Sequence, residues 1–304
     1  MHELTLFDRL AVIQETNKKY DLENNAYISF SGGKDSTVLH HLVDMALPGN
    51  KIPRVFINTG IEYNYIVEFV KDLAKNDDRF IILNPTKPIK KVLEEYGYPF
   101  KSKQHSHNLE VYQRNGMTLT NEKYLGLGSK TQFLCPNCLK YQFTKDFNIK
   151  ISDKCCYKMK KEPAHKWSTE NNKTITMTGM RSDEGGMRNY QHNCAVYDGK
   201  NLSKFHPLKP ISNEFEDWLI KEYDIKLCKL YYPPFNFKRS GCRGCPYSLD
   251  LQHQLDVMEQ LLPNERKQCE IIWKPIYDEY RRLGYRLKKY KETSLEDLLN
   301  EEDK

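Results

Sequence analysis

No run of about 18 or more apolar residues occurs in this 304-residue chain, which argues against a membrane-spanning helix. Nor does Met1-His2-Glu3-Leu4 open onto the basic and then apolar pattern of a signal peptide, so a soluble, cytoplasmic protein is expected. No internal repeat is visible, which sets aside solenoids and propellers. Aromatic residues are not scarce, with 20 Tyr and 13 Phe, and that abundance excludes a disordered chain. Charged residues, at 29%, are too frequent for a membrane protein. The length suits one large domain or two modest ones, with enough chain to bury a core.

What is present is an uneven charge. Lys and Arg exceed Asp and Glu by 47 − 41 = +6 overall, but residues 101–175 alone carry 14 Lys/Arg against 6 Asp/Glu, or +8. A basic middle segment points to an anionic partner, a phosphorylated small molecule or nucleic acid, unless it is only a solvated insertion. Nine cysteines stand at 135, 138, 155, 156, 194, 228, 242, 245 and 269. Without an export signal, disulfides are not expected, and clustered thiols point to metal or redox chemistry. Cys194, Cys228 and Cys269 stand alone and read as ordinary buried thiols.

Helical spacing runs over Leu4 to Tyr20, Ser36 to Met45, Tyr65 to Ala74 and Glu214 to Tyr223. Short apolar runs predict strands at 26–30, 54–58, 80–83 and 174–178, with another hinted at Phe205-His206-Pro207-Leu208. Val257 to Leu283 reads as a long helix broken near Pro263 and Pro275, and the charged tail from Lys288 as a solvated or frayed helix. Alternating strands and helices imply right-handed βαβ units. The predicted class is α/β, with a doubly wound, mostly parallel, Rossmann-like sheet. Residues 1–215 would form the nucleotide-binding domain, interrupted by a basic, Cys-containing insertion at about 99–173 of weak periodicity. Residues 216–304 would form a mainly helical region contributing a CxxC.

The sharpest motif is Ser31-Gly32-Gly33-Lys34-Asp35-Ser36-Thr37, straight after a strand and opening a helix. Paired glycines permit a tight turn and let backbone amides approach phosphate oxygens. The helix N-terminus adds unpaired amides and a positive dipole end. Ser31, Ser36 and Thr37 can donate hydroxyl hydrogen bonds, and Lys34 adds a point charge. The Gly-x-x-x-x-Gly-Lys spacing of a Walker A loop is missing.

Ser-Gly-Gly-Lys-Asp-Ser resembles the pyrophosphate (PP) loop of the adenine-nucleotide α-hydrolase superfamily. Within it, the chain resembles the phosphoadenosine-phosphosulfate (PAPS) reductase family. Phe56-Ile57-Asn58-Thr59-Gly60-Ile61-Glu62 is similar to that family's Asp-Thr-Gly-x-x-Glu segment, and Cys155 to Pro163 to its CC-x-x-x-K-x-x-P segment. Thr178-Gly179-Met180-Arg181-Ser182-Asp183-Glu184 with Arg188 resembles its Thr-Gly-x-Arg segment and second Arg. Gly241-Cys242-Arg243-Gly244-Cys245 resembles its closing G-C-x-x-C. The likeness runs in order from about Tyr27 to Tyr247.

Physical chemistry sorts the same residues. In a doubly wound sheet, ligands bind beyond the carboxyl ends of the strands, where the loop, 58–62 and 178–181 would converge. Asn58, Thr59 and Glu62 are candidates for ribose or adenine contacts, with Gly60 and Gly179 in the same turns. Arg181 and Arg188 are candidates for stabilising charge that develops at the phosphate or sulfate being cut. Asp35 is a candidate for Mg²⁺ or, alternatively, only a partner of the helix dipole. The resemblance implies an adenine nucleotide, ATP or an adenylyl sulfate, as the ligand.

Four thiolates in a CC plus CxxC set can hold a cubane cluster. In the iron–sulfur branch of the resembled family, such a set ligates [4Fe-4S], which here implies Cys155, Cys156, Cys242 and Cys245. Cys135-Pro136-Asn137-Cys138 is extra to that pattern. It could build a zinc tetrathiolate with either of the other pairs, or replace a cluster ligand. His105, His107, His165 and His206 are weaker candidate ligands, each more simply a surface or core histidine.

One departure matters. Sulfonucleotide reductases attack sulfur with a cysteine near the C-terminus and hand the product to a thiol reductant, whereas here the last cysteine is Cys269 and no Glu-Cys-Gly follows. Other branches keep the loop, use ATP and expel pyrophosphate, including enzymes that place sulfur in tRNA or DNA. The leading expectation is therefore an ATP-using enzyme of this family that cleaves at the α-phosphate, in sulfur transfer or nucleic-acid modification, with a sulfur donor as further partner. The alternatives are a sulfonucleotide reductase using Cys269 or an external thiol, and a non-enzymatic nucleic-acid binder or redox sensor. Lys238, Arg239, Tyr231 and Tyr232 beside the CxxC could add phosphate contacts and stacking. No membrane partner is expected, and an oligomer is compatible with each reading.

Overall fold

Phe80-Ile81-Ile82-Leu83, Arg54-Val55-Phe56-Ile57 and Ala26-Tyr27-Ile28-Ser29 are too apolar for a solvated face, and they assemble into the centre and one edge of a sheet. In the computed structural model, which describes residues 2–128, 134–182 and 193–289, the strands are β1 (Ala26–Ser29), β2 (Arg54–Ile57), β3 (Phe80–Leu83), β4 (Ile175–Met177), β5 (Ala195–Asp198) and β6 (Asn201–Phe205). The helices begin with α1 (His2–Tyr20), α2 (Leu22–Asn25), α3 (Lys34–Ala46), α4 (Asn64–Asn76), α5 (Ile89–Tyr96) and α6 (Lys103–Asn115). They continue with α7 (Leu119–Leu125), α8 (Lys154–Cys156), α9 (Glu162–Glu170), α10 (Asn213–Glu222), α11 (Leu251–Leu261) and α12 (Pro263–Leu283).

Contacts divide the chain into two units, residues 1–92 with 156–243, and residues 93–155 with 244–304. The sequence suggested a division at 215; the chain instead passes between units at three places, because segments distant in sequence pack together in each.

The first unit is the sheet with its helices, in the order β3-β2-β1-β4-β6-β5. All neighbours are parallel except β5 and β6, which form a hairpin with a bulge at Val196/Tyr197. This is the predicted doubly wound α/β class. The direction of winding reverses between β1 and β4, so the crevice at their carboxyl ends is the switch point where such folds bind ligands. Val38, Leu39, Leu42 and Val43 of α3 are fully buried against this core. Removing one such side chain, as in Leu42→Ala, should cost about 2–5 kcal/mol.

The hinted strand at 205–208 ends at Phe205, because Pro207 has no N–H for the ladder and the chain turns, Lys209 N–H donating to His206 C=O at 3.0 Å. β5 was not foreseen; its residues are partly or largely exposed, so no apolar run marks it.

In the second unit, α11 packs on α12 and α6 on α7. The expected break at Pro263 is real, Pro263 opening α12. The expected break at Pro275 is not: α12 continues through it, with Cys269, Trp273, Ile276, Tyr277 and Tyr280 buried along one stripe. The weak periodicity of the insertion hides α6, α7, α8 and α9. α6 is capped by Ser102, whose hydroxyl accepts from His105 N–H, and it buries His105, Ser106 and Asn108 beside Leu109. A polar stripe of that kind carries no hydrophobic signal. Among the described residues no helix is long and apolar enough to cross a membrane.

Candidate functional site at the phosphate loop

The loop is shaped by its own side chains. Gly32 sits at φ +70°, and a Cβ there would lie 2.9 Å from Ile66 Cγ2, so the turn requires glycine on both counts. Ser36 Oγ donates to Gly33 C=O at 2.9 Å, and Thr37 Oγ1 donates to the same carbonyl at 3.0 Å. Ser31 Oγ accepts from Gly33 N–H at 3.3 Å and lies 3.0 Å from Ser36 Oγ. Ser31, Ser36 and Thr37 thus hold the turn that presents the α3 amides.

From β4, the switch-point neighbour, Gly179 meets this turn directly. A Cβ on Gly179 would lie 2.6 Å from Asp35 C=O, so the segment after β4 and the first turn of α3 touch backbone to backbone. That contact brings Arg181 to the loop. Arg181 Nε donates to Asp35 Oδ1 at 2.6 Å, its NH1 donates to Asn213 Oδ1 at 3.0 Å, and its NH2 lies 3.1 Å from Glu216 Oε2. Lys34 Nζ reaches the same Glu216 Oε2 at 2.9 Å and Asp217 Oδ1 at 3.2 Å. One buried carboxylate oxygen therefore holds both cations. Burial, with the charge of Asp35, pushes the Glu216 carboxyl up to about 7, although Lys34 and Arg181 pull against the shift. For Lys34, burial acts to lower its pKa, yet Glu216 and Asp217 together leave it raised.

Tyr231 closes the loop's front: its phenol oxygen accepts from Lys34 N–H at 3.1 Å and its hydroxyl donates to Ser240 Oγ at 2.7 Å. The sequence singled out Tyr231 only as a neighbour of the CxxC. Glu216 was missed altogether, although one signal exists: it sits between Phe215 and Leu219 on the buried face of α10, where an acid is out of place.

The turn after β2 is tied inward. Thr59 Oγ1 donates to Glu62 Oε1 at 2.9 Å, and Asn58 Oδ1 accepts from Gly60 N–H at 3.2 Å. The same Glu62 Oε1 pairs with Lys160 Nζ at 3.0 Å and accepts from Cys242 Sγ at 3.8 Å. Lys160 lies in a π-helical turn, Tyr157–Lys161, that follows Cys156. Burial opposes its charge, but Cys242 and Glu62 leave its pKa raised. Glu62 and Cys242 also form an isolated antiparallel bridge. Arg188, Asp183 and Glu184 lie outside the described residues.

None of the nine cysteines is in a disulfide. Cys156 and Cys242 belong to the first unit, and Cys135, Cys138, Cys155 and Cys245 to the second. In that second unit Cys135 is buried, which pushes its thiol up to about 11, while Cys138 is exposed. Cys269 is fully buried beneath Gly244, where an added Cβ would meet its sulfur at 2.8 Å. His105 is bonded to Tyr124 and Gln142, and His206 to Thr178, so both ring systems are already engaged in the fold. His107, Glu110 and Asp153 bring their ligand atoms within 4.8 Å, but Lys154 Nζ lies 3.9 Å from each carboxylate and offsets their charge.

An uncharacterised protein of Methanocaldococcus jannaschii is 35% identical over 85 residues, 28% of this chain and 19% of that protein, so the match spans under a fifth of the relative's length. A PAPS reductase from Candida auris, solved with phosphate, is 14% identical at a TM-score of 0.45, over 76% of this chain and 87% of its own. A U34-tRNA thiolase from Methanococcus maripaludis, solved with its [4Fe-4S] cluster, is 15% identical at a TM-score of 0.38, over 91% of this chain and 80% of its own. The family model of the phosphoadenosine phosphosulfate reductase domain matches residues 25–124 and 120–248, most of the chain and the whole of the phosphate-loop site. The chain belongs to the phosphoadenosine phosphosulfate reductase domain family.

Proposed function

We propose that this protein is an ATP-using enzyme that cleaves between the α- and β-phosphates and joins the α-phosphate to an acceptor oxygen, activating that position for attack by sulfur. One observation carries the reading: Lys34 from the loop and Arg181 from the segment after β4 are held on one buried oxygen, Glu216 Oε2, at 2.9 and 3.1 Å. Two cations fixed beside the α3 amides can bind a leaving pyrophosphate and stabilise the charge it gains. Asp35 orients the guanidinium through its Oδ1, so Mg²⁺ is assigned here to the nucleotide's own phosphates. Asn58, Thr59, Glu62 and Arg188 are proposed for the nucleotide side of the crevice.

Cys155, Cys156, Cys242 and Cys245 are proposed as the ligands of a [4Fe-4S] cluster; none of them is in a disulfide, and four cysteine sulfurs are the donor set such a cluster takes. The cluster would supply a site for binding or delivering sulfur. Cys135 and Cys138 are proposed as a separate dithiol or zinc-type pair. The basic segment 101–175 favours nucleic acid, tRNA or DNA, as the acceptor. Cys269, fully buried, is badly placed to act as the nucleophile of a sulfonucleotide reductase, so that reading would need an external thiol.

The test is pyrophosphate release from ATP with bulk RNA or DNA as acceptor. Lys34→Ala and Arg181→Ala should each lower turnover by about 10²–10³. Unchanged turnover in both would refute the assignment, and thiol-dependent sulfite release from adenylyl sulfates would replace it with the reductase.

A further inference from the structure

Glu216 has no solvent exposure, and Oε2 is its contact to both loop cations. Both carboxylate oxygens are buried without a hydrogen-bond partner, so Oε2 meets the cations as ion pairs and Oε1 meets neither. The charged groups that face it are Lys34 and Asp35 of α3, Arg181 beyond β4 and, along its own helix, Asp217 bound to Lys34. With Glu216 itself counted, the cluster is not cationic: two positive groups stand against three negative ones. A polyphosphate that recruits Lys34 and Arg181 must draw them from Glu216. It would then leave a buried carboxylate uncompensated beside its own negative charge, which costs several kcal/mol.

We propose that Glu216 is a positioning residue that exchanges its two cations for a proton when a polyphosphate binds at the loop. Lys34 and Arg181 turn onto phosphate oxygens, one proton enters from water onto the Glu216 carboxylate, and the neutral acid remains in the core. The exchange is purely acid–base: no covalent bond to the ligand forms or breaks. It deepens the nucleotide-binding reading above and rests on it. The carboxyl is already poised at about 7, with both cations opposing the shift, so their departure drives it further upward. Before exchange, the shared oxygen holds the ammonium and guanidinium side by side; afterwards it no longer competes for them.

Isothermal titration calorimetry with α,β-methylene-ATP and Mg²⁺, at pH 8.5 in two buffers of different ionisation heat, tests this. At that pH the terminal phosphate is fully ionised, so an uptake approaching one proton must come from the protein. Affinity should weaken close to tenfold from pH 7.5 to 8.5. In Glu216→Gln the uptake should vanish and the affinity become flat with pH, a readout that a merely structural role would not move. Binding by wild-type protein without proton uptake would overturn the proposal and leave the nucleotide reading standing. Absence of binding by the analogue, and by inorganic pyrophosphate, at any pH would overturn both. Should Glu216→Gln not fold, the wild-type uptake at pH 8.5 decides alone.

Discussion

At Gly179 the space for a side chain is filled by the Asp35 peptide, 2.6 Å from where a Cβ would stand. The listener on the other side is a backbone, which cannot swing aside. Gly179→Ala should therefore push β4's end away from the loop and carry Arg181 with it. The expected loss is about 1–3 kcal/mol of stability, read by chemical denaturation, together with a weaker affinity for pyrophosphate. Gly33→Ala, facing side chains instead, should cost less. The glycines, Lys34, Asp35 and Arg181 stand out in the sequence because their types and spacing match the resembled loop and Thr-Gly-x-Arg segment, and the fold brings them together. Glu216 was illegible for the opposite reason: its role depends on α10 packing against α3, a contact between residues some 180 positions apart in the chain.

Among the elements, α10 deserves its own test because it carries Glu216, Asp217 and Asn213 to the loop. Ser212 caps it, its hydroxyl accepting from Phe215 N–H at 3.2 Å. Ser212→Ala should cost about 1 kcal/mol and, if the cap sets the helix register, also lower nucleotide affinity; a stability loss with unchanged affinity would separate capping from positioning. α12 shows why local rules fail elsewhere. Pro275 removes a helical hydrogen bond, yet the buried stripe from Cys269 to Tyr280 outweighs that loss. Pro275→Ala should accordingly raise stability, by roughly 1–3 kcal/mol. Strands with continuous apolar runs were readable from sequence; α6, whose buried face is His105, Ser106 and Asn108, was not, since polar residues carry that face and His105 and Ser106 are held there by hydrogen bonds.

For the molecule as a whole, the buried histidines set the response to acid. Burial is the main cause that lowers His40 to about 3, and His105 and His206 each to about 4. All three are neutral in the fold at pH 6, whereas an unfolded histidine protonates near 6.5. Their folded values are depressed, so they contribute stability above pH 6.5 that is lost as pH falls from there towards 4. The combined slope should approach about 4 kcal/mol per pH unit. Asp44 extends the limb: burial opposes its ionisation, but Arg79 and Arg54 hold it at about 2, and its contribution is lost below the ordinary carboxylate range. Urea denaturation at pH 7.5, 6 and 5 should show stability falling steeply over that range, with a flatter profile for His206→Asn. Metal analysis belongs to the same scale. Protein purified without air should carry about four iron and four sulfide per chain if the cubane assignment holds, and zinc without iron would return the cysteines to a structural role.

The π-helical turn after Cys156 has a consequence for phase. An α-helix advances about 100° per residue, and a π turn absorbs one residue without ending the helix. Deleting a single residue from Tyr157–Lys161 would let the segment relax to ordinary α geometry. Cys156 and α9 would keep their relative phase, because the absorbed residue adds almost no net rotation, but Lys160, carried by the bulge, would be drawn away from Glu62. The short turn is a one-residue slack in the helix, so a deletion there should spare the helix on either side and be felt first at the Lys160–Glu62 pair.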